Sequence, residues 1–326
     1  MTGTPPKPVL AERRDDIVLP FRTEKSRALG RLVRLGQSVD TILSGHDYPD
    51  AISEVLGQAL ALTSMLSAAM KPGGKLSLQT KTDGPLRVLI SDIELPGRMR
   101  GYASFDRERV AELAKAGKVQ QGALLGAGAL ALTFDPGDGR DSHQGVVPLD
   151  GQSLTAAANT YFRQSEQLPT FIRLAVARHR LPGAQDGWHW RAGGLILQHL
   201  EADPNDDSAA ASTDEADDDT RDGWQRARIL AATVEDHELL DPTLEPERLL
   251  LRLFHEEGVR TFPRQAVNAH CRCSRERVQM FLTRFGREEL ADMREPDGNL
   301  SVTCEFCSKR YVFALDEIGH AMNQGD

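Results

Sequence analysis

The sequence has no long apolar run, and this absence argues against two classes of protein. Residues 1–16 are rich in Pro, Lys and Arg and lack the apolar segment of a secretory signal peptide. No stretch of about 18 uninterrupted apolar residues occurs, so we expect no membrane helix. We therefore expect a cytoplasmic protein, whose cysteines stay reduced unless they bind metal or have a redox role.

The sequence also lacks a surplus of positive charge. It contains 39 Lys and Arg against 48 Asp and Glu, for a net charge of -9. Residues 201–222 hold ten of those carboxylates and one of the arginines, so the rest of the chain has 38 of each sign. Nucleic-acid binding normally needs excess Lys and Arg to displace phosphate counterions, so we expect no nucleic-acid partner.

The size and composition allow folded domains with real cores. A chain of 326 residues exceeds the usual size of one domain, and its 40% hydrophobic and 27% charged residues are ordinary for a globular protein. We expect a tail without fixed structure at 1–16, a larger domain at 17–200, an acidic disordered insert at 201–222, a helical linker at 223–258 and a small C-terminal domain at 259–326. The insert has no large apolar residue to offset the entropy of folding.

The pattern in 17–200 mixes strands and helices without regular βαβ alternation, which predicts an α+β fold. Apolar residues at helical spacing predict a helix over 49–70, ended by Pro72-Gly73-Gly74. Another helix is predicted at 153–165. Strands are predicted at 75–80, 86–92, 98–105, 127–134, 145–147, 171–177 and 195–200.

The linker at 223–258 shows two amphipathic stretches. Ala227, Leu230, Ala231 and Val234 form a short apolar stripe, which Asp241-Pro242 interrupts. A second helix is expected to begin at Pro246 and end at Gly258, with Leu249, Leu250, Leu253 and Phe254 on its apolar face. These faces must be covered, and we expect them to pack on the first domain in at least one state.

All four cysteines lie near the C-terminus, as Cys271-Arg272-Cys273 and Cys304-Glu305-Phe306-Cys307. Two close pairs joined by a loop supply the four thiolates of a tetrahedral Zn²⁺ site, and we predict one zinc ion per chain, bound by Cys271, Cys273, Cys304 and Cys307. His270 is a substitute ligand only if one thiolate does not bind.

The single residue between Cys271 and Cys273 is unusual for a structural zinc site. A disulfide between cysteines so close in the chain would be strained, and strained disulfides tend to be labile or regulatory. Cys271 and Cys273 are therefore candidates for reversible oxidation. Basic residues near the cysteines, which we expect to help keep the sulfurs ionised, are Arg272, Arg275, Arg277, Lys309 and Arg310.

Several segments resemble the thirty-three-kilodalton heat-shock protein family, the redox-regulated holdase chaperones. That family shares the Cys-x-Cys, long loop, Cys-x-x-Cys arrangement, and the resemblance runs from about residue 18 to 319. The similar segments are 84–86, 100–103, 144–147, 161–170, 192–194, 249–258 and 271–277. The tail before Asp16 and the acidic stretch 201–222 depart from the family pattern.

The resemblance implies an ATP-independent chaperone, not an enzyme, that is inactive when reduced and zinc-bound. It implies that oxidation pairs Cys271 with Cys273 and Cys304 with Cys307, releases zinc and loosens the linker 223–258. The partners it implies are unfolded or partly unfolded client proteins, with a homodimer as the oxidised form. In this interpretation 17–200 is the chaperone domain and 259–326 the zinc-binding redox switch.

Two alternatives remain open from the residues themselves. A thiol-disulfide oxidoreductase would use Cys304 and Cys307 as a catalytic dithiol, although Ser301-Val302-Thr303 and Tyr311-Val312-Phe313 indicate a hairpin around them instead of a βαβ unit. A permanent zinc ribbon that binds RNA or protein is favoured only by the local arginines.

Overall fold

The computed structural model describes residues 14–180, 187–199 and 214–322. The chain divides into two compact units, Met1–Ala269 and His270–Asp326. Both contain helices and strands, so the α+β class is confirmed. Within the described residues, no helix has the length and hydropathy needed to cross a membrane.

The first unit contains two sheets and a set of helices. Its strands are β1 (Ile17–Thr23), β2 (Ala28–Leu35), β3 (Lys75–Thr82), β4 (Leu86–Glu94), β5 (Arg98–Phe105), β6 (Gly128–Asp135), β7 (His143–Pro148), β8 (Thr170–His179), β9 (His189–His199), β10 (Val259–Thr261), β11 (Gln265–Ala266) and β12 (Asn268–Ala269). Its helices are α1 (Gln37–Ser44), α2 (Asp50–Ser67), α3 (Arg107–Lys115), α4 (Gln121–Leu125), α5 (Leu154–Tyr161), α6 (Asp214–Ala232), α7 (Asp236–Leu240) and α8 (Pro246–Phe254). A π-helical turn, Phe162–Glu166, follows α5.

The two sheets have separate strand orders. The first sheet runs β10-β1-β2-β9-β8, with β11 also paired to β1, and the second runs β12-β5-β4-β3-β6-β7. Helix α2 contacts β2, β8 and β9 of the first sheet and β3, β4 and β5 of the second. It is buried around most of its circumference, as expected for a helix packed between two layers.

The linker helices cover the other face of the first sheet. Apolar residues of α6 and α8 pack with sheet residues in one cluster that is separate from the core around α2. Phe254 of α8 stacks on Phe21 of β1, with ring centroids 5.5 Å apart. The sheet residues of this cluster are Leu19, Phe21, Ala28, Leu32, Ala175, Leu195 and Leu197. The expected packing of the linker on the first domain is therefore present.

Two expected boundaries differ from the structure. Residues 201–213 of the acidic insert lie outside the described residues, but 214–222 are helical, as the first turns of α6. Acidic composition does not exclude a helix start, because the N-terminal end of the helix dipole is positive. At the other boundary, 259–269 belong to the first unit, since β10 and β11 pair with β1 and β12 pairs with β5.

The tail expected at 1–16 ends earlier than predicted. Residues 1–13 lie outside the described residues, whereas Asp15 and Asp16 belong to the fold. Asp16 accepts hydrogen bonds from the amides of Gly36 and Ser38, each at 3.0 Å, at the start of α1. Asp15 forms an ion pair with Arg191.

The second unit is small. It contains α9 (Arg275–Leu282), α10 (Arg287–Asp292), a hairpin of β13 (Leu300–Thr303) and β14 (Arg310–Phe313), and α11 (Leu315–Met322). The fully or nearly buried apolar residues of its core are Leu282, Leu290, Leu300, Tyr311, Phe313 and Ile318. A core of this size gives limited stability on its own.

Candidate metal centre

Two local structures position the four cysteines. Cys271 and Cys273 lie just before α9, where Ser274 caps the helix by accepting a hydrogen bond of 3.2 Å from the Arg277 amide. Cys304 and Cys307 lie in the turn of the β13–β14 hairpin that the sequence predicts. There the Cys304 amide donates to the Lys309 carbonyl at 3.0 Å, which fixes the turn.

The four sulfur atoms converge on one point. All four Sγ atoms lie within 4.8 Å of one another, and each cysteine is half-buried. The Sγ atoms of Cys271 and Cys304 are 3.6 Å apart, and those of Cys273 and Cys307 are 3.3 Å apart. Four thiolates around Zn²⁺ at about 2.3 Å would be about 3.8 Å from one another. The cysteines therefore fit a tetrahedral metal ion.

The donor set contains sulfur alone. Within the described residues, the group of potential ligands that comes together is Cys271, Cys273, Cys304 and Cys307, without His270. Soft thiolate ligands in a tetrahedral arrangement are typical of zinc or iron–sulfur centres. Both of these sulfur–sulfur contacts link the two halves of the motif, so one metal ion would join the segment before α9 to the hairpin.

Tyr311 is a site residue that the cysteine spacing does not identify. Its hydroxyl donates a hydrogen bond of 3.1 Å to Cys273 Sγ. Burial alone raises the pKa of Cys273, but hydrogen bonds from Tyr311 and from the neighbouring thiols outweigh burial and lower that pKa to about 7. Burial is the main cause of the raised pKa values of Cys271 and Cys307. In the absence of metal, Cys273 is thus favoured over these two as a thiolate.

Three of the basic residues near the site have other partners. Arg275 forms an ion pair with Glu317 at 2.5 Å and lies 4.3 Å over the Phe313 ring, while Arg310 pairs with Glu295. Arg277 donates to the carbonyl of Arg272 at 2.8 Å. These contacts stabilise the fold around the cysteines. Stabilisation of the thiolates by these cations stays a prediction, whereas the hydroxyl of Tyr311 donates directly to one of the sulfurs.

The setting of the Cys-x-x-Cys pair differs from that of a catalytic dithiol. An oxidoreductase of the common type places its first cysteine at a helix N-terminus in a βαβ unit. Cys304 instead follows a strand in a two-stranded hairpin, and its sulfur contacts Cys271 from the other half of the site. The arrangement favours metal binding.

Comparison with known proteins identifies relatives along nearly the whole chain. The profile of the family described as Hsp33 protein matches residues 16–314. A 33 kDa chaperonin of Caulobacter vibrioides is 40% identical over 94% of this chain and 96% of its own length. A 33 kDa chaperonin of Nitrosococcus oceani is 37% identical over 90% and 89%, and one of Proteus mirabilis is 33% identical over 94% and 95%.

A solved structure shares the fold. The crystal structure of a 33 kDa chaperonin, a heat shock protein 33 homologue from Thermotoga maritima, aligns with a TM-score of 0.70. The alignment covers 95% of this chain and 98% of that one at 21% identity, so it shows the likeness of fold alone. Since the family profile spans most of the sequence and several relatives exceed 30% identity over nearly its full length, the chain belongs to the Hsp33 family of chaperones.

Proposed function

We propose that this chain is a redox-regulated, ATP-independent holdase that is inactive while its four cysteines bind zinc and active after they are oxidised. The observation that supports this proposal is the convergence of four thiol groups within 4.8 Å in a unit with a small core. The relatives are named chaperonins, which agrees with a role in binding proteins rather than in catalysis. We place this activity in the cytoplasm, without nucleic acid or membrane as partners.

The metal site accounts for the stability of the second unit in the reduced state. Zinc bound to Cys271, Cys273, Cys304 and Cys307 would contribute about 10–16 kcal/mol of folding free energy, by analogy with small zinc peptides. Whole domains are stable by only about 5–15 kcal/mol. The unit therefore depends on its thiolates remaining available as ligands.

Oxidation removes those ligands. In the proposed reaction, Cys271 forms a disulfide with Cys273, and Cys304 forms one with Cys307. Each disulfide forms as two thiolates give two electrons to one peroxide molecule, which takes up two protons from the solvent and becomes two waters. Sulfur in a disulfide is no longer an anionic ligand, so oxidation, loss of zinc and unfolding of the second unit occur together.

The linker helices connect this event to client binding. Helices α6 and α8 cover an apolar face of the first sheet, and their own apolar residues are buried there. When they loosen, both surfaces become exposed, and exposed apolar surface of this kind binds partly unfolded proteins. We propose that such proteins are the clients and that two oxidised chains associate as a homodimer.

Zinc, thiols and client aggregation measured on one sample test the proposal. Reduced protein should contain one zinc per chain, and peroxide should release it, as measured with a chromogenic chelator, while all four thiols disappear. Only the oxidised sample should suppress light scattering from a heated client. Zinc release without thiol loss, or equal suppression by both samples, would contradict the switch. RNA binding with a steep salt dependence and unchanged zinc would support the zinc-ribbon alternative instead.

A further inference from the structure

The segment 259–269, which contains β10, β11 and β12 and is called the strap below, closes the edges of both sheets of the first unit. Its first part pairs antiparallel with β1, from Thr23 opposite Val259 to Ile17 opposite Ala266. Its last two residues pair in parallel with β5, Asn268 opposite Arg98 and Ala269 opposite Met99. One extended segment therefore occupies two strand edges.

The strap is held by short runs of pairing. Its strands have three, two and two residues, against a usual strand length of about 5–6. Pro20 in β1 accepts a hydrogen bond of 2.9 Å from the Phe262 amide but has no N–H to donate. In an antiparallel strand the N–H and C=O of one residue point toward the same neighbouring strand. The N–H that Pro20 lacks would therefore have pointed toward the strap, and the pairing with β1 is interrupted at this position, between β10 and β11. The strap is thus suited to detachment.

An apolar cavity of about 470 Å³ lies beneath the strap, between the edges of the two sheets. Residues 265–267 of the strap form one of its walls. The residues of the first unit that line the cavity, called the groove below, are Val18, Ser67, Met70, Pro72, Ile93, Leu95, Pro96 and Gly97. If the strap detaches, this cavity becomes an open groove with a strand edge on each side.

The groove accepts a small apolar side chain and an extended backbone. Val267 of the strap is only 1% exposed and belongs to the main core. Its amide donates to the Asp16 carbonyl and the Asn268 amide donates to the Gly97 carbonyl, both at 2.8 Å. A Cβ at position 97 would lie 1.9 Å from the Ala266 carbonyl oxygen, so glycine there permits close approach of the strap backbone. Recognition therefore rests on backbone hydrogen bonds and one apolar side chain.

We infer that the groove is a binding site for extended polypeptide and that the strap is its resident occupant, replaced by an extended segment of an unfolding client. Backbone pairing on a strand edge depends little on sequence, which suits a partner drawn from many proteins. Cys271 follows the strap after a single residue, so unfolding of the second unit would free the C-terminal end of the strap. This inference rests on the function proposed above and assigns a site to its clients.

A labelled peptide with the sequence of residues 261–269 tests the groove directly. Fluorescence anisotropy should show binding to the peroxide-oxidised full chain at least about tenfold tighter than to the reduced, zinc-loaded chain. The same peptide carrying Val267→Asp should bind the oxidised chain at least about tenfold more weakly, because a carboxylate would enter an apolar cavity. Equal binding of the two peptides, or equal binding to both redox states, would overturn the inference.

Two variants of the full chain make the test independent of the redox switch. Val267→Asp in the chain should release the strap, so that its reduced, zinc-loaded form binds the unmodified peptide roughly tenfold tighter than reduced wild type does. Met70→Glu places a charge on a half-buried wall of the groove and should weaken peptide binding to the oxidised chain by a similar factor. Val146→Glu is its control, since Val146 is 58% exposed on β7, which is at the opposite edge of the second sheet from β12 of the strap.

The outcomes separate this site from the general function. If the oxidised chain suppresses client aggregation while Met70→Glu and Val146→Glu bind the peptide equally well, the chaperone stands and the groove is wrong. If the oxidised chain suppresses no aggregation, the proposed function fails, whereas peptide binding by reduced Val267→Asp would still establish the groove. Should Met70→Glu fail to fold, as judged by circular dichroism and zinc content, the two peptides and the Val267→Asp chain decide the matter.

Discussion

Arg34 is a charged side chain with no exposed surface, on β2 beneath the linker. Its guanidinium donates to the backbone carbonyls of Glu238 in α7, at 2.8 Å, and of Leu244 in the turn between α7 and α8. Burial is the main influence on its pKa, which falls to about 10, so the group stays charged near neutral pH. Arg191 adds a hydrogen bond of 2.7 Å to the carbonyl of Leu240. Two arginines of the first sheet thus bind the backbone of the linker turn.

Replacement of Arg34 by methionine should loosen this turn. Methionine fills part of the space but leaves two carbonyls without their donors, at a cost of about 1–3 kcal/mol each. Removal of a buried charge offsets part of that cost. We expect the free energy of unfolding of the first unit to fall by about 2–4 kcal/mol, measured by urea unfolding with tryptophan fluorescence. Arg87→Met is the control, because Arg87 is 60% exposed in its ion pair with Asp106; an equal loss there would contradict the role of Arg34.

The chemistry of single residues explains how much of the metal site the sequence reveals. The spacing of the four cysteines predicts one cluster, because few other arrangements use two close pairs joined by a loop. Tyr311 escapes prediction, since its hydroxyl reaches Cys273 only through the register of the β13–β14 hairpin, where Val302 lies opposite Tyr311. In the structure Tyr311 and Phe313 are buried and Val312 is 41% exposed, but three consecutive apolar residues do not reveal this from the sequence.

Helix α8 buries four large apolar side chains of the linker. Leu249, Leu250, Leu253 and Phe254 are each at most 2% exposed, whereas Leu251 on the opposite side of the helix is 55% exposed. Proline at its first position supplies a φ angle suited to a helix start. The helix therefore remains in place mainly through one apolar face.

Truncation of that face should release the linker without any oxidation. Phe254→Ala removes a ring stacked on Phe21 and should destabilise α8 packing by about 3–5 kcal/mol, as large-to-small core substitutions do. We expect the reduced, zinc-loaded variant to suppress client aggregation partially, in a light-scattering assay. Leu251→Ala, an exposed position on the same helix, should change stability by no more than about 0.5 kcal/mol and leave the reduced form inactive. Activity in neither variant would show that the covered face does not limit the chaperone.

Helices and strands with strong apolar periodicity are predicted well from the sequence, whereas strands that form only by pairing with distant segments are not. Helix α2 and the pair β3 and β4 follow from their apolar spacing, and β5 has the predicted bounds. Strand β9 begins at His189, whereas the sequence predicts a strand only from residue 195. The prediction misses the first part of the strand because Gly193 and Gly194 have low strand propensity. The structure supplies the reason for one of them, since a Cβ on Gly193 would lie 2.6 Å from the Leu239 carbonyl oxygen of α7. Strand β1 contains Pro20, and the short strands of the strap exist only through their partners, so no local pattern identifies them.

The two units of the molecule differ in how their stability arises. The first has an extended core around α2 and a second apolar cluster under the linker, whereas the second has one small core beside its cysteines. All three tryptophans of the chain, at positions 188, 190 and 224, lie in the first unit. Trp190 belongs to the main core and Trp224 to the cluster that contains the linker helices. Tryptophan fluorescence therefore reports on the first unit and its linker helices, and not on the second unit.

This difference predicts an order of unfolding when metal is withdrawn from reduced protein. A strong chelator should first abolish hydrogen-exchange protection in 270–322, because that unit loses about 10–16 kcal/mol of metal binding free energy. Protection in α6 and α8 should weaken next, while α2, packed between two sheets, should keep its protection. Exchange measured by mass spectrometry at increasing times gives this order, and zinc added back under reducing conditions should restore the starting pattern. Persistent protection in 270–322 without metal would mean that its apolar core suffices, and that loss of ligands could not act as the signal.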